Sequence, residues 1–273
     1  MTTDTVRVNP SWLALREPAD AAARSRDLVD HLKRALPANN RMVIHDLGSG
    51  TGAMGRWLAP QLTGPQHWIA HDRDPDLLAL AAADVPRPAA NGTPVTVEAR
   101  CTDISQLRPD ELGDATLITA SALLDMLTAD EMSRLAGTCA GARCPVLLTL
   151  SVTGRVAITP GDPLDRRVAA AFNDDQRRAT QRGRLLGPDA IAYATHEFGR
   201  LGAEVLVRPS PWRLGSSDAG LIAEWFTGWL EAACEQEVEL VADRELYTRQ
   251  RLAQLTAGQL AVTVDHADLL VLP

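Results

Sequence analysis

A glycine-rich turn set between two carboxylates is the densest chemical signal in the chain. The run Val43-Ile44-His45-Asp46-Leu47-Gly48-Ser49-Gly50-Thr51-Gly52 reads as an apolar strand that enters a turn and opens a helix. Glycines there permit tight backbone geometry and close approach of a ligand. Twenty residues past Gly52, Trp68-Ile69-Ala70-His71-Asp72 ends a second strand on an acid. Such an acid takes two hydrogen bonds from ribose hydroxyls. Gly48, Gly50 and Ala53 also satisfy the dinucleotide fingerprint GxGxxG/A, so spacing alone leaves two cofactor classes open. Asp46 separates them. It stands beside the place a pyrophosphate would take, and like charges about 4 Å apart repel by roughly 4 kcal/mol at an effective dielectric near 20. A ligand with an ammonium and a sulfonium is attracted instead, and S-adenosylmethionine is such a ligand.

On these residues the chain resembles the class I S-adenosylmethionine-dependent methyltransferases. Their first motif, an acid, a spacer and GxGxG, is matched by Asp46, Gly48, Gly50 and Gly52, with Ser49 inside the loop. Their acid ending the second strand is matched by Asp72, and the later acid and apolar residue that flank adenine by Asp103-Ile104. The segment that lines the methyl site is matched by Thr119-Ala120-Ser121. The resemblance covers 41–151, and 200–272 by strand pattern. It implies a Rossmann-like α/β fold with a seven-stranded sheet, an antiparallel last strand and extra helical insertions. The cofactor is then S-adenosyl-L-methionine, leaving as S-adenosyl-L-homocysteine, over the carboxyl ends of the strands. Such enzymes often fold an N-terminal segment over the cofactor. That would bring Arg16 to the methionine carboxylate as a charge-assisted contact; the competing reading pairs Arg16 with Glu17 or Asp20. The Asn/Asp-Pro-Pro-aromatic sequence used on exocyclic or amide nitrogens is absent, since the segment reads Ser121-Ala122-Leu123-Leu124-Asp125. The Pro-Cys pair of cytosine-C5 enzymes is absent too, Cys144-Pro145 being the reverse order. Both absences count against base methylation.

The elements that must position these residues alternate. A helical lead-in with Leu28, Leu32 and Leu36 at helical spacing breaks at 37–40. Strands are predicted at 42–45, 68–70, 95–99, 115–120 and 145–150, with helices at 52–62, 75–84 and 129–141. Asp74 before Pro75 is an N-cap with proline at the first helical position, and Thr128 and Glu131 have capping-box spacing. The second half adds helices at 163–179, 188–200, 217–235 and 243–256, and strands at 204–207, 260–264 and 269–272. Strands alternating with helices predict a parallel α/β sheet. The domain reading is a cofactor-covering segment over 1–40 and one domain over 41–273, with insertions at about 152–200 and 210–257. The inserted helices are expected to cap the strand ends or to form a homodimer contact.

Substrate groups must come from segments beyond the strand ends. Ser121 and Asp125 follow strand four, with Asp125 the candidate base for a hydroxyl or ammonium acceptor. Ser151 and Arg155 follow strand five. Arg208-Pro209-Ser210-Pro211-Trp212-Arg213 reads as an extended loop fixed by its prolines. Trp212 and Arg213 there would suit an anionic or planar substrate.

Composition bounds the rest. The 273 residues are 45% apolar and 23% charged, with a net charge of −8. This is ordinary for a globular enzyme, and the acidity disfavours a nucleic-acid partner. Lys33 is the sole lysine, which with abundant alanine points to a GC-rich bacterial genome. No apolar run approaches the roughly 20 residues that span a bilayer. The start, MTTDTVRVNP, lacks a signal peptide's apolar stretch, so a cytoplasmic location is expected. The four cysteines form no CxxC pair and no metal-ligand cluster is visible. The expected function is methyl transfer to a small-molecule acceptor by in-line displacement at the sulfonium methyl. The rivals are an NAD(P)-dependent oxidoreductase and a non-catalytic S-adenosylmethionine-binding protein.

Overall fold

A computed structural model describes residues 8–37 and 41–273. The expected break at 37–40, Pro37 apart, and the first seven residues lie outside them. In chain order the elements are α1 (Pro10–Ala23), α2 (Arg26–Ala35), β1 (Met42–Leu47), α3 (Ala53–Leu58), β2 (Gln66–Asp72), α4 (Pro75–Ala83) and β3 (Val95–Cys101). Next come β4 (Leu117–Ser121), α5 (Ala129–Gly141), β5 (Val146–Thr159), α6 (Asp165–Gln176), a small hairpin of β6 (Ala179–Thr180) and β7 (Gly183–Arg184), and α7 (Ala190–Arg200). The chain closes with β8 (Glu204–Pro209), β9 (Trp212–Leu214), α8 (Ala219–Gln236), α9 (Val241–Thr256) and β10 (Ala261–Leu272). The caps read from sequence form: Asp74 accepts from the Asp76 N–H, and Thr128 and Glu131 close a reciprocal capping box.

The main sheet runs β3-β2-β1-β4-β5-β10-β8, with β9 pairing β10. β1 pairs in parallel with β2 and β4, β2 with β3, and β4 with β5. β10 is antiparallel to β5 and to β8. This is the expected seven-stranded order with an antiparallel last strand, and β9 is an addition to it.

Three boundaries differ from expectation. β5 does not stop at 150 but continues to Thr159, because β10 pairs with it from Ala261↔Thr159 onward. The first insertion therefore begins after Thr159, and the two terminal strands are one. The loop expected over 208–213 is strand on both sides of a break. Pro209 ends β8, the Ser210 N–H donates to the His266 carbonyl (2.8 Å), and Trp212 opens β9. Prolines cannot donate to a ladder, so two short strands share one side of β10.

Packing follows the layers. Leu28 and Leu32 of α2 bury against Ile44, Leu117, Leu147 and Leu270 on one face of the sheet. α5 and α7 cover the other face. A third apolar cluster joins α6, α8 and α9 to β9 and the extended halves of β5 and β10. Trp225 and Trp229 stack there at 5.2 Å, and α1 adds Trp12.

On the face opposite Asp72, two buried histidines are linked. His45 Nδ1 lies 3.0 Å from His71 Nε2, and His45 Nε2 lies 3.0 Å from Asp114. His71 is therefore a packed group turned away from the site. Burial, then the His45 and Arg100 charges, push its pKa down to about 4. The unfolded chain binds a proton there below about 6.5, so unfolding takes up protons between about pH 4 and 6.5. Stability from this site is complete above pH 6.5 and is lost as the pH falls toward 4, on the order of 3 kcal/mol in all. Melting temperatures at pH 7 and 4.5 should accordingly differ less in His71→Gln than in the wild type. An equal difference in both would remove His71 from the acid response.

Candidate active site

The strand order reverses between β1 and β4, the kind of switch point where open α/β sheets bind ligands. Asp46 points from the end of β1 into this crevice. It is 3% exposed, and its Oδ1 accepts a 2.7 Å hydrogen bond from Thr119 on β4. Burial raises its pKa to about 7, against the lowering effects of Thr119 and the Arg24 charge. Past it the chain turns left-handed at Gly48 (φ +65°) and Gly50 (φ +53°), conformations strained for any side chain. A Cβ would also lie 3.1 Å from Leu123 at Gly48 and 3.3 Å from Leu13 at Gly50. Gly52 (φ +84°) stands at the N-cap of α3, and the buried Ser49 hydroxyl has no hydrogen-bond partner among the described residues.

Asp72 ties this loop to the end of β2. Its Oδ2 accepts from the Gly50 N–H at 2.8 Å and its Oδ1 from the Asp74 N–H at 3.0 Å. Asp103 lies just beyond, exposed, and accepts from the Ser105 N–H and hydroxyl at 3.0 and 2.8 Å. Ile104 packs partly buried against the core. Two residues lie in the left-handed region here, Ala122 (φ 51°) just past β4 and Leu150 (φ 58°) within β5. Such backbone strain, about 1–3 kcal/mol each, concentrates at functional sites. Asp268 of β10 holds one of them by accepting from the Leu150 N–H at 2.8 Å.

Helix α1 lies across this end of the sheet. Glu17 receives two hydrogen bonds from Arg56 of α3 (2.8 and 2.6 Å), and Leu13 rests on Gly50. Arg16 is bound to Asp20 through two hydrogen bonds (2.9 and 3.2 Å), with its guanidinium 5.2 Å from the centre of the Trp212 ring. Trp212 itself is buried and donates its Nε1–H to Asp20 at 2.9 Å. It is a docking post for α1.

The residue that completes the crevice is Arg24, at the C-cap of α1. It is 3% exposed and lies over the Trp57 ring. Its Nη2 donates to Ser121 Oγ at 3.1 Å, and Ser121 also accepts from Thr149. Its Nε and Nη1 have no hydrogen-bond partner among the described residues. A buried guanidinium with two unpaired donors is costly unless an anion completes it. Nearby carboxylates, Asp20, Asp268 and Asp46, supply only part of that field.

The other sequence-assigned groups scatter. Asp125 is half-buried in a short turn after β4, where burial raises its pKa against the lesser effects of its own backbone N–H and the Arg16 charge. Ser151 is buried, and its hydroxyl has no hydrogen-bond partner among the described residues. Arg155 is 84% exposed and pairs with Asp265, and Arg213 is exposed on β9. Among the described residues no group of three or more His, Cys, Asp or Glu is placed to hold a metal ion. No helix among them is long and apolar enough to cross a membrane.

No protein-family model and no curated protein sequence matches the chain. Solved structures do. The cyclopropane synthase MmaA2 from Mycobacterium tuberculosis is similar over 97% of this chain and 94% of its own, at 14% identity and a TM-score of 0.51. The mycolic acid cyclopropane synthase CmaA1, complexed with SAH and CTAB, is similar over 95% and 94%, at 14% identity and a TM-score of 0.50. The chain has the class I methyltransferase fold.

Within this methyltransferase fold Arg16 takes the competing reading, paired with Asp20, and Arg24 escaped the sequence reading. One signal was available. Trp12, Arg16, Asp20 and Arg24 recur every fourth residue, which puts them on one face of α1. That face is the one turned to the strand ends.

Proposed function

We propose that the crevice binds S-adenosylmethionine and that the protein transfers its methyl group to a small-molecule acceptor. The observation that carries this reading is the buried, half-satisfied guanidinium of Arg24, bonded to Ser121 and close enough to Asp46 for their charges to interact. The donors and acceptors fit the ligand's parts. Arg24, in place of Arg16 whose charge Asp20 already takes, would hold the methionine carboxylate. Asp46 would face the ammonium, Asp72 the ribose hydroxyls, and Gly48, Ser49, Gly50 and Gly52 would run along the ligand. Asp103 and Ile104 would border the adenine, and Ser121 the methyl end. α1 would act as the cover, held by Glu17–Arg56 and Asp20–Trp212.

The cofactor supplies a methyl carbon already activated by a sulfonium. The protein's work is then to hold the acceptor in line and to keep water out, and positioning of this kind supplies most of the rate. A small acceptor is favoured by the net charge of −8, which disfavours a nucleic-acid chain, and by the cover that α1 makes over the crevice. A decisive test incubates the protein with methyl-labelled S-adenosylmethionine and a deproteinised, nucleic-acid-free bacterial extract. Label should appear in low-mass products and depend on Asp72. Label found solely in added protein or RNA would reject the small-molecule reading.

Asp46 makes cofactor binding pH-dependent. With a carboxyl pKa of about 7 in the free protein, it is protonated below neutrality, and an ammonium beside it favours the ionised form. Binding then expels a proton below pH 7. S-adenosylhomocysteine affinity should rise about tenfold from pH 6 to pH 8 and flatten in Asp46→Asn. Calorimetry in buffers of different ionisation enthalpy reads the released proton, and a flat wild-type profile would contradict this role.

A further inference from the structure

Three segments converge on Asp268 of β10, a carboxylate that is 1% exposed. Its Oδ2 accepts from the Ser25 N–H at 2.7 Å, and its Oδ1 accepts from the Leu150 N–H at 2.8 Å and from the Ser210 hydroxyl. Ser25 and Leu150 each follow a residue that meets Ser121. Arg24 Nη2 donates to Ser121 Oγ at 3.1 Å, and the Thr149 hydroxyl donates to the same oxygen at 3.1 Å. These bonds close a ring, from Asp268 to Ser25 and Arg24, to Ser121, to Thr149 and Leu150, and back. Contact joins the ring to the crevice. Ser121 ends β4, and Thr119, two residues earlier on the same face, donates to Asp46 at 2.7 Å. The ring holds the chain where it is least regular. Arg24 leaves α1 at ψ 138°, and Leu150 is left-handed.

We propose that Asp268 and Thr149 are positioning residues: without touching the ligand, they preset Arg24 on Ser121 so that the crevice selects an adenosyl ligand by its carboxylate. This rests on the cofactor reading above. A serine oxygen has two acceptor sites, and Arg24 and Thr149 fill both at Ser121. The bond to Ser121 takes Nη2 and leaves Nε and Nη1 as the donors without a partner among the described residues. Ordering an arginine on binding costs affinity, and a side chain already fixed in the free protein is spared that cost. Asp268 is also a negative charge near Arg24. As a charge alone it would repel the ligand's carboxylate. Position and charge thus act in opposite directions, and one substitution tells them apart. Asp268→Asn keeps one acceptor oxygen and sets an NH2 group in place of the other, so it cannot hold both Ser25 and Leu150. Thr149→Val removes the hydroxyl at nearly constant volume and opens the ring on its other side.

Calorimetry with S-adenosylhomocysteine and 5′-methylthioadenosine reads this preset. Both ligands carry the adenosine and the thioether sulfur, and the second lacks the amino-acid portion. The wild type should prefer S-adenosylhomocysteine. Asp268→Asn should cut that preference about tenfold and Thr149→Val about threefold, with 5′-methylthioadenosine affinity within about twofold of the wild type. Because Asp268 acts through Arg24, adding Asp268→Asn to Arg24→Met should change the preference by less than about twofold. A packing defect alone would weaken both ligands alike, and an effect independent of Arg24 would add in full; either result overturns the assignment. So does a preference that is unchanged or raised in Asp268→Asn, the mark of a charge without a positioning role. Should Asp268→Asn fail to fold, Thr149→Val decides, and an unchanged preference there overturns the ring. Failure of the wild type to bind S-adenosylhomocysteine overturns the cofactor reading, and this inference with it.

Discussion

Arg24→Met is expected to lower S-adenosylhomocysteine affinity about a hundredfold while leaving the free protein at least as stable as the wild type. The two effects share one cause. In the free protein the guanidinium is buried, its Nη2 donates to the Ser121 hydroxyl, and its Nε and Nη1 find no partner among the described residues. Burial lowers its pKa, the mark of a cation short of solvation. Replacing such a group by an apolar side chain of similar length keeps the packing on Trp57 and removes the desolvation penalty, a change that is often neutral or stabilising. With ligand bound, the same change removes charge-assisted hydrogen bonds worth about 1.5–3 kcal/mol each, and about 3 kcal/mol in all is a hundredfold in affinity. Arg16→Met should weaken binding far less, because Arg16 already has Asp20. Titration calorimetry and a melting curve on both variants check this. Equal losses for Arg16 and Arg24, or a strongly destabilised Arg24→Met, would contradict it.

Asp72→Ala should cost at least as much affinity, and Asp72→Asn about tenfold. The carboxylate does two things at once. It accepts the Gly50 N–H at 2.8 Å and the Asp74 N–H at 3.0 Å, which fixes the glycine loop against β2. A carboxylate has about four lone-pair sites, so two stay available for ribose hydroxyls. Alanine removes both the loop anchor and the ribose contacts. Asparagine keeps one acceptor oxygen and therefore part of each. Calorimetry with S-adenosylhomocysteine separates the three proteins. Wild-type affinity in the alanine variant would sink the ribose assignment.

How much of this was legible in the sequence depends on the range of the interaction. The glycine loop, the acids that flank it and the caps at Asp74 and Thr128 are local patterns, and they appear where the residues said they would. The parallel core strands follow from their apolar runs. The extension of β5 beyond 150 was hidden because its residues alternate with polar ones and owe their strand state to β10, about a hundred residues later. Trp212 looked like a loop aromatic because its prolines were visible and its partner Asp20 was not. Arg24 was missed for a related reason. An arginine at the end of a polar helix is ordinary, and it becomes informative only when folding buries it against Ser121 and Trp57. His71 shows the same limit: strand alternation assigns it a face, but which face meets the crevice is set by the sheet order.

The most direct test of the account is a thermal-shift titration with S-adenosylhomocysteine and, separately, with NADH and NADPH. A ligand at a hundred times its dissociation constant stabilises by about 2.7 kcal/mol, about 5–10 °C for a domain of this size. The account predicts that shift with S-adenosylhomocysteine, its loss in Arg24→Met and Asp72→Ala at the same concentration, and no shift with either nicotinamide. A shift with a nicotinamide alone would contradict it, because a pyrophosphate would then be bound beside Asp46.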